Sequence, residues 1–376
     1  MDALPPLSLY VHFPWCVRKC PYCDFNSHPA KGPIPEAEYV ARLLDDLDED
    51  RALAAGRPFE TIFIGGGTPS LISGRAIAAL LDGIRTRATL ARDVEITLEA
   101  NPGAIDEAHF VEYRAAGVNR LSIGAQSFGA RHLRALGRIH EPADIERAFA
   151  AARRAGFERI NLDLMHGLPE QRVRDARDDL SRAIALGASH VSWYQLTVEP
   201  RTEFALHPPT LPDEDALGDI EAAGFDLLRS AGFERYEISA FARPGERARH
   251  NVNYWTFGDY LGIGAGAHGK ATFAGQRIVR TTKPMAPSRY LGSDARDLRE
   301  QATVARDALP GEFMLNALRL IDGVAPSMFE ARTGRSLDVI EPTWRKQREL
   351  GLMRADRLAV TATGLRYLDS VVSAFL

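Results

Sequence analysis

The sequence contains very little cysteine, and all of it lies in one place. Among 376 residues there are three cysteines, Cys16, Cys20 and Cys23, within eight consecutive positions. An odd number of cysteines in a chain of this length excludes the disulfide frameworks of small secreted domains. The cysteines therefore indicate a different role, in which several thiolates bind one inorganic centre.

Long apolar runs and a strong net charge are also absent. No stretch approaches the roughly 20 apolar residues of a transmembrane helix, and the first residues lack the basic and apolar regions of a secretory signal. We therefore expect a cytoplasmic protein. The 46 basic and 50 acidic residues give a net charge of −4, which predicts no attraction to nucleic acid. Peripheral membrane association and homodimer formation stay open.

The cysteine segment, Cys16-Val17-Arg18-Lys19-Cys20-Pro21-Tyr22-Cys23, admits three interpretations. A structural zinc ion would need a fourth ligand, such as His12 or His28, and usually uses two C-x-x-C motifs that lie far apart. A redox C-x-x-C pair would leave Cys16 unexplained. An iron–sulfur cluster uses all three cysteines and leaves one iron open to another ligand. We favour the cluster, and a zinc-stabilised barrel without redox function is the alternative.

Strand-like apolar segments alternate with amphipathic helical segments up to about residue 200. The predicted strands occupy residues 8–12, 61–64, 95–99, 120–125, 161–165 and 190–196. This alternation predicts an α/β fold with a parallel sheet and right-handed crossovers. Six such units favour a partial (β/α)6 barrel over the closed eightfold barrel.

Polar or glycine-rich residues follow each predicted strand, and parallel topology brings such residues together at one end of a barrel. They include the cysteines, the loop Gly65-Gly66-Gly67-Thr68, Glu99, Gln126 and Asp163, with Arg138 nearby. Carboxylates accept hydrogen bonds from ribose, glycine lets a ligand approach the backbone, and arginine pairs with a carboxylate. The set therefore predicts a site for a polar, nucleoside-like ligand.

At these residues the chain resembles the radical S-adenosylmethionine (SAM) superfamily, whose signature is C-x-x-x-C-x-x-C. The resemblance implies a 4Fe–4S cluster bound by Cys16, Cys20 and Cys23, with SAM on the fourth iron. Gly262-Ile263-Gly264-Ala265-Gly266 resembles a family segment near the pocket. The resemblance also implies SAM contacts at Tyr10, Gly66, Gly67, Thr68, Glu99, Gln126, Arg138 and Asp163.

Nearly the whole chain is similar to the subgroup that contains oxygen-independent coproporphyrinogen III dehydrogenase and the HemW-type heme chaperones. The dehydrogenase has an extension ahead of its cluster loop and a fourth cysteine two positions after the third, where this chain has Phe25. Both departures favour a chaperone that binds heme and passes it to acceptor proteins. Coproporphyrinogen decarboxylation by the same radical chemistry is the alternative. Whether SAM is cleaved, and hence whether the protein is an enzyme, stays open.

The string His250-Asn251-Val252-Asn253-Tyr254-Trp255 also resembles the chaperones, in which the H-N-x-x-Y-W motif is implicated in heme binding. A neutral imidazole is a good axial ligand for heme iron, so His250 is the predicted ligand, with Tyr254 and Trp255 as neighbours. Three nearby arginines offer partners for the propionates: Arg243, Arg247 and Arg249. The alternative for His250 is a structural role within a loop.

We predict three regions along the chain. Residues 1–235 form the barrel with its N-terminal cluster loop, residues 236–300 connect it, and residues 301–376 form a winged-helix-like α+β domain. The pattern of this last region predicts helices at 311–320 and 340–350, a hairpin at 352–360 and a final helix at 361–376. Winged helices often bind DNA. However, ten Arg and Lys against nine Asp and Glu in residues 301–376 give a net charge of only +1, which favours a packing or lid role.

Overall fold

A computed structural model describes residues 4–104, 107–294 and 299–376. The predicted regions 1–235 and 236–300 each include a few residues outside these ranges. The strands of the described residues are β1 Leu7–Phe13, β2 Trp15–Cys16, β3 His28–Pro29, β4 Phe59–Gly66, β5 Leu90–Ala100, β6 Arg120–Gln126, β7 Arg159–His166, β8 His190–Gln195, β9 Glu234–Glu237, β10 Ala240–Ala242, β11 Asp259–Ile263, β12 His268–Phe273, β13 Arg277–Thr282 and β14 Glu300–Thr303.

Helices connect these strands and form most of the C-terminal region. They are α1 Glu36–Asp50, α2 Gly74–Arg87, α3 Glu107–Ala116, α4 Ala130–Ala135, α5 Pro142–Arg154, α6 Val173–Leu186, α7 Glu203–Leu206, α8 Glu214–Ser230, α9 Arg249–Trp255, α10 Pro287–Gly292, α11 Leu309–Ala317, α12 Pro326–Thr333, α13 Glu341–Glu349, α14 Ala362–Arg366 and α15 Leu368–Ser373. Within the described ranges, no helix is both long enough and apolar enough to cross a bilayer.

One twelve-stranded sheet organises the molecule, in the order β14-β13-β12-β11-β1-β4-β5-β6-β7-β8-β10-β9. The six predicted strands are β1, β4, β5, β6, β7 and β8, which are adjacent and parallel. The predicted α/β class with a partial barrel is therefore confirmed. A seventh parallel strand, β11, pairs with β1, and antiparallel strands extend both edges. The sequence pattern did not predict β11 or the antiparallel edge strands.

The central strands are buried because helices cover the sheet. In β1, six of the seven side chains are buried, which is the usual condition of a parallel sheet enclosed by crossover helices. Helix α1 contributes Tyr39, Val40, Leu43 and Leu47 to the main core from the face that its helical spacing predicts. The same continuous apolar runs that identified the strands thus fill the interior.

The C-terminal region has its own apolar core. Phe313, Met314, Phe329 and Trp344 form it together with Phe257, which belongs to the connecting residues. Helices α11 and α13 match predicted helices, and the bridge between Met353 and Val360 lies in the predicted hairpin.

The prediction of one final helix from residue 361 to 376 is wrong. The segment forms the two short helices α14 and α15, because the backbone of Tyr367 leaves the helical region between them (φ −119°, ψ 28°). Thr361 begins α14, and its side chain accepts a hydrogen bond from the backbone N–H of Gly364.

Candidate functional site

The carboxyl ends of the parallel strands surround a cavity of about 690 Å³. This volume falls in the range of about 300–1,000 Å³ that is usual for cofactor and ligand pockets. Ten of the predicted cofactor residues line it: Cys16, Cys20, Cys23, Gly66, Gly67, Thr68, Glu99, Gln126, Arg138 and Asp163. Residues that are separate in sequence therefore converge on one space, as the parallel topology predicts.

The cluster loop, residues 16–28, is closed at its base by a small parallel sheet. Trp15 pairs with His28, and Cys16 pairs with Pro29. All three cysteines are free thiols. Burial raises the pKa of the Cys16 and Cys23 thiols, so both are protonated near neutral pH, and binding of iron would displace their protons.

A polar side chain, from the barrel or from the cluster loop itself, lies close to each cysteine sulfur. Thr68 Oγ1 donates to Cys16 Sγ at 3.5 Å. Arg138 Nη1 donates to Cys20 Sγ at 3.7 Å, and Ser27 Oγ lies 3.9 Å from Cys23 Sγ. Hydrogen bonds to the sulfurs stabilise thiolates and tune the potential of a cluster that they hold. The donor set therefore fits an iron–sulfur cluster bound by three thiolates.

The geometry gives no support to a single zinc ion. In residues 4–104, 107–294 and 299–376, no group of three or more His, Cys, Asp or Glu side chains could hold one metal ion. Both histidines proposed as a fourth ligand have other partners: His12 bonds Tyr10 and Asn26, and His28 bonds Asn26. A 4Fe–4S cluster binds each cysteine through a different iron, so its ligands stand farther apart than those of one ion.

Asn26 anchors the cluster loop to the sheet. Its carbonyl accepts a hydrogen bond from His12 Nε2 at 2.8 Å, and its Nδ2 donates to the carbonyls of Ala265 and Met285, each at 2.9 Å. Gly266 packs so closely against the Asn26 side chain that a Cβ would collide with it. The glycine-rich segment 262–266, at the end of β11, thus contacts the cluster loop through Asn26.

The glycine loop after β4 lies directly against the beginning of the cluster loop. The N–H of Gly67 donates to the carbonyl of Phe13, and that of Thr68 donates to the carbonyl of Trp15, both at 2.7 Å. A Cβ on Gly67 would lie 2.5 Å from the Trp15 carbonyl oxygen, and Gly66 has a φ of 117° that other residues rarely adopt. Only glycine permits this approach of two backbones.

Two buried carboxyl groups line the cavity beside this loop. Burial and the proximity of Asp163 raise the pKa of Glu99 to about 8, although Glu99 accepts a hydrogen bond from the N–H of Gly66 at 3.1 Å. Burial likewise raises the pKa of Asp163. A cationic ligand in the cavity would favour the ionised forms, so both groups are suited to a positively charged partner.

Asp163 is held by a polar network that the sequence analysis missed. Ser122 Oγ donates to one of its carboxylate oxygens at 2.8 Å, and Asn161 Nδ2 donates to the other at 2.7 Å. His190 Nδ1 donates in turn to Asn161 Oδ1 at 2.6 Å. These residues alternate along neighbouring strands and point into the barrel, so an inward polar residue within an apolar strand was the available signal.

Gln126 reaches the cavity because the end of β6 is irregular. The register with β7 shifts between Gly124 and Gln126, and Gln126 has a φ of 65°. A bulge of this kind re-aims a side chain and is common next to functional sites. The Gln126 Oε1 atom accepts a hydrogen bond from the Tyr194 hydroxyl at 2.7 Å.

Tyr10 is not among the described residues that line the cavity. Its ring stacks on Phe63 with centroids 6.3 Å apart, and its hydroxyl donates to His12 Nδ1 at 2.9 Å. Burial, with Glu99 nearby, raises the pKa of Tyr10 well above its usual value. Tyr10 is therefore neutral near pH 7, and it lies near Glu99 without lining the cavity.

His250 lies at the opposite end of the parallel strands and is almost completely buried, with 2% of its surface exposed. Its Nδ1 is 2.7 Å from Thr61 Oγ1, near the beginning of β4, and its Nε2 is 3.0 Å from the Tyr254 hydroxyl. Both imidazole nitrogens thus have partners within the barrel. In this arrangement the ring offers no free nitrogen to heme iron.

The neighbours of His250 also have other contacts. Tyr254 and Trp255 line a second cavity of only about 180 Å³, which is below the usual range for cofactors. Arg247 pairs with Asp322, and Arg249 pairs with Asp93. Arg243 stacks on Phe233 and donates to a backbone carbonyl. His250, Tyr254 and Trp255 do not line the cluster cavity, but Trp255 contacts Arg319, which does.

The buried histidines predict a loss of stability in acid. Burial lowers the pKa of His250 to about 3 and that of His140 and His166 to about 4. Below pH ~6.5 these histidines take up protons in the unfolded chain but not in the folded chain, so their contribution to the free energy of unfolding decreases as the pH falls. His250 alone should account for about 2 kcal/mol between pH 7 and pH 5. Urea titrations of wild type and His250→Gln at several pH values measure this contribution as the difference between the two proteins.

Comparison with known proteins first defines the class. The family model described as the radical SAM superfamily matches residues 10–183, a span that contains every residue predicted to contact the cluster or SAM. The fold is similar to that of coproporphyrinogen III oxidase (HemN) from Escherichia coli, a radical SAM enzyme, with a TM-score of 0.81. That likeness covers 99% of this chain and 90% of the other at 24% identity, so it concerns the fold alone. Residues 10–183 thus form a radical SAM domain.

Similar proteins of known name identify the family within this class. The heme chaperone HemW of Escherichia coli is 52% identical over 378 residues, and the match covers 100% of both chains. The heme chaperone HemW of Haemophilus influenzae is 46% identical, with 100% of this chain and 99% of the relative covered. The chain belongs to the HemW family of heme chaperones.

Proposed function

We propose that this protein is a heme chaperone, which binds heme and a SAM-liganded 4Fe–4S cluster and transfers the heme to acceptor proteins. Identity of 52% to a named heme chaperone over the full length of both chains is the observation that carries the heme part. The free thiols favour a reducing compartment such as the cytoplasm.

The cofactor site that we propose is the 690 Å³ cavity. Cys16, Cys20 and Cys23 would bind three irons of the cluster, which fits three free thiols beside one cavity. A bound 4Fe–4S cluster with SAM on its open iron supplies one-electron chemistry. The SAM contacts are assigned to Tyr10, Gly66, Gly67, Thr68, Glu99, Gln126, Arg138 and Asp163.

Each assigned group suits one part of SAM. The backbone of Gly66 and Gly67 permits close approach of the amino-acid moiety. Glu99 and Asp163 would take the cationic and hydroxyl groups, because ionisation of these buried carboxyls becomes favourable beside a positive charge. Arg138 would pair with the SAM carboxylate. Tyr10, whose hydroxyl is held by His12, would lie near the SAM sulfonium, as the family resemblance implies.

For heme we retain His250 as the proposed axial ligand, with Tyr254 and Trp255 as neighbours. Ligation then requires a conformation in which Nε2 exchanges the Tyr254 hydroxyl for iron. His250→Ala should abolish the spectrum of an imidazole-bound heme. Tyr254→Phe should preserve that spectrum and tighten binding, because it frees Nε2 without removing a ring. An unchanged heme spectrum in His250→Ala would show that another side chain binds the iron.

The proposed function is tested by heme transfer under anaerobic conditions. Protein with a reconstituted cluster and SAM is loaded with heme and mixed with an apo-globin, and the Soret band reports transfer. We expect transfer, and no conversion of coproporphyrinogen III in a parallel incubation with a reductant, since Phe25 replaces the dehydrogenase's additional cysteine. Production of protoporphyrinogen would instead support the dehydrogenase.

A further inference from the structure

Arg319, from the C-terminal region, lines the cluster cavity together with the barrel residues. It follows helix α11, and the next residues attach to the edge of the sheet. Leu320 forms a bridge with Glu237, and the N–H of Ile321 donates to the carbonyl of Tyr236 at 3.1 Å. The backbone on this side of the cavity is therefore fixed, and the C-terminal region contributes a cation to the site.

The guanidinium of Arg319 is held from two sides. Its central carbon lies 4.3 Å from the centre of the Trp255 ring, and Nη2 donates to Glu237 Oε2 at 3.3 Å. Its Nε is buried and has no hydrogen-bond partner in the described part of the chain. One third of the side chain is exposed. Arg319 therefore lines the cavity with part of its side chain exposed, and its buried Nε is an unsatisfied donor, although buried donors are normally satisfied.

Exposed apolar residues that are not assigned to SAM also line the cavity. Val17, Phe25 and Ile139 line the cavity, and between 44% and 63% of each side chain is exposed. Exposed apolar groups around one opening mark a binding surface. A flat apolar ligand with a carboxylate matches both this surface and the exposed part of the Arg319 side chain. Heme is such a molecule, and the cavity beside the motif is too small for it.

We propose that Arg319 binds a propionate of heme in the cluster cavity and that Trp255 positions its guanidinium. This inference rests on the proposed heme chaperone function and adds the residue that recognises the acidic end of the cargo. It gives Trp255 of the H-N-x-x-Y-W motif a role that does not require it to touch heme. The proposed contact between Arg319 and a propionate does not depend on which side chain binds the heme iron.

The test measures heme affinity by anaerobic absorbance titration of protein that carries the cluster and SAM. The probes are heme and heme dimethyl ester, whose propionates are uncharged. Arg319→Gln should weaken binding of heme about 10- to 100-fold, the range for one hydrogen bond to a charged group. The ester should bind wild type and Arg319→Gln equally well, because the lost partner is the carboxylate itself. Trp255→Ala should likewise weaken heme and leave the ester unchanged.

Arg348 provides the matched control. It stacks on Trp344 at 4.5 Å and pairs with Glu341, as Arg319 does with Trp255 and Glu237, but it does not line the cavity. Arg348→Gln should bind heme like wild type. Unchanged heme affinity in Arg319→Gln, or equal weakening of heme and ester, would overturn the proposal while the chaperone function stands. Failure of wild type to bind heme at all would overturn both.

Discussion

Replacing Cys20 by serine is expected to reduce bound iron and acid-labile sulfide to background after anaerobic reconstitution. The chain has three cysteines, and each is assigned to the cluster, so no other thiol can take the place of Cys20. Cys20 is also the sulfur that Arg138 contacts, which links the cluster to the assigned SAM site. We therefore expect SAM binding to be lost in the same variant, as measured by equilibrium dialysis.

Val17→Ser is the control for this change. Val17 lies on the same loop and is half exposed, so the substitution introduces the same side chain without removing a ligand. It should retain wild-type iron and sulfide. If Cys20→Ser kept its full sulfide content, the three-cysteine cluster would be the wrong assignment. Stoichiometric zinc without sulfide in the wild-type protein would favour the zinc-stabilised barrel.

Replacing Lys283 by alanine should lower the free energy of unfolding by about 3–5 kcal/mol, the usual cost of breaking a buried ion pair. The Lys283 ammonium is fully buried between Asp46 and Asp50, and Nζ is 2.8 Å from Asp50 Oδ2. Asp46 also accepts hydrogen bonds from the Tyr290 hydroxyl and the N–H of Gly264. Without the ammonium, two buried carboxylates would lose their shared cation.

Chemical denaturation measures this loss, and Lys346→Ala is the control because Lys346 is exposed on α13. The control should change stability by no more than about 0.5 kcal/mol. Since Asp46 holds the turn at Gly264 that supports the cluster loop through Asn26, Lys283→Ala should also lose its cluster faster. If Lys283→Ala denatured at the same midpoint as wild type, the prediction would be wrong. The buried carboxylates would then have found other partners or become protonated.

The sequence predicted the parallel half of the fold well because its strands are buried on both faces. Such strands give continuous apolar runs that need no knowledge of their partners. Strand β11 was missed because it is five residues long, ends at a glycine-rich turn, and pairs with β1, in which Leu7 lies 252 positions before its partner Asp259. Local patterning does not report pairing between segments so distant in sequence.

The candidate site was predictable where topology alone brings residues together. Ten of the eleven predicted cluster and SAM residues line one cavity because parallel strands end at the same level. Residue type could not reveal that Thr61 and Tyr254 occupy both nitrogens of His250. Nor could it place Arg319, because its position depends on how the C-terminal region packs against the edge of the sheet.

The paired strands β2 and β3 have a consequence for the biogenesis of the protein. They join the two ends of the cluster loop, and Asn26 fastens it to the barrel, so much of the entropy of closing the loop is lost before iron arrives. Zinc fingers, by contrast, fold only when metal binds. We therefore expect the apoprotein to fold before the cluster is inserted. Cluster insertion would then be a late maturation step, which the cell can delay, repeat or reverse without unfolding the chain.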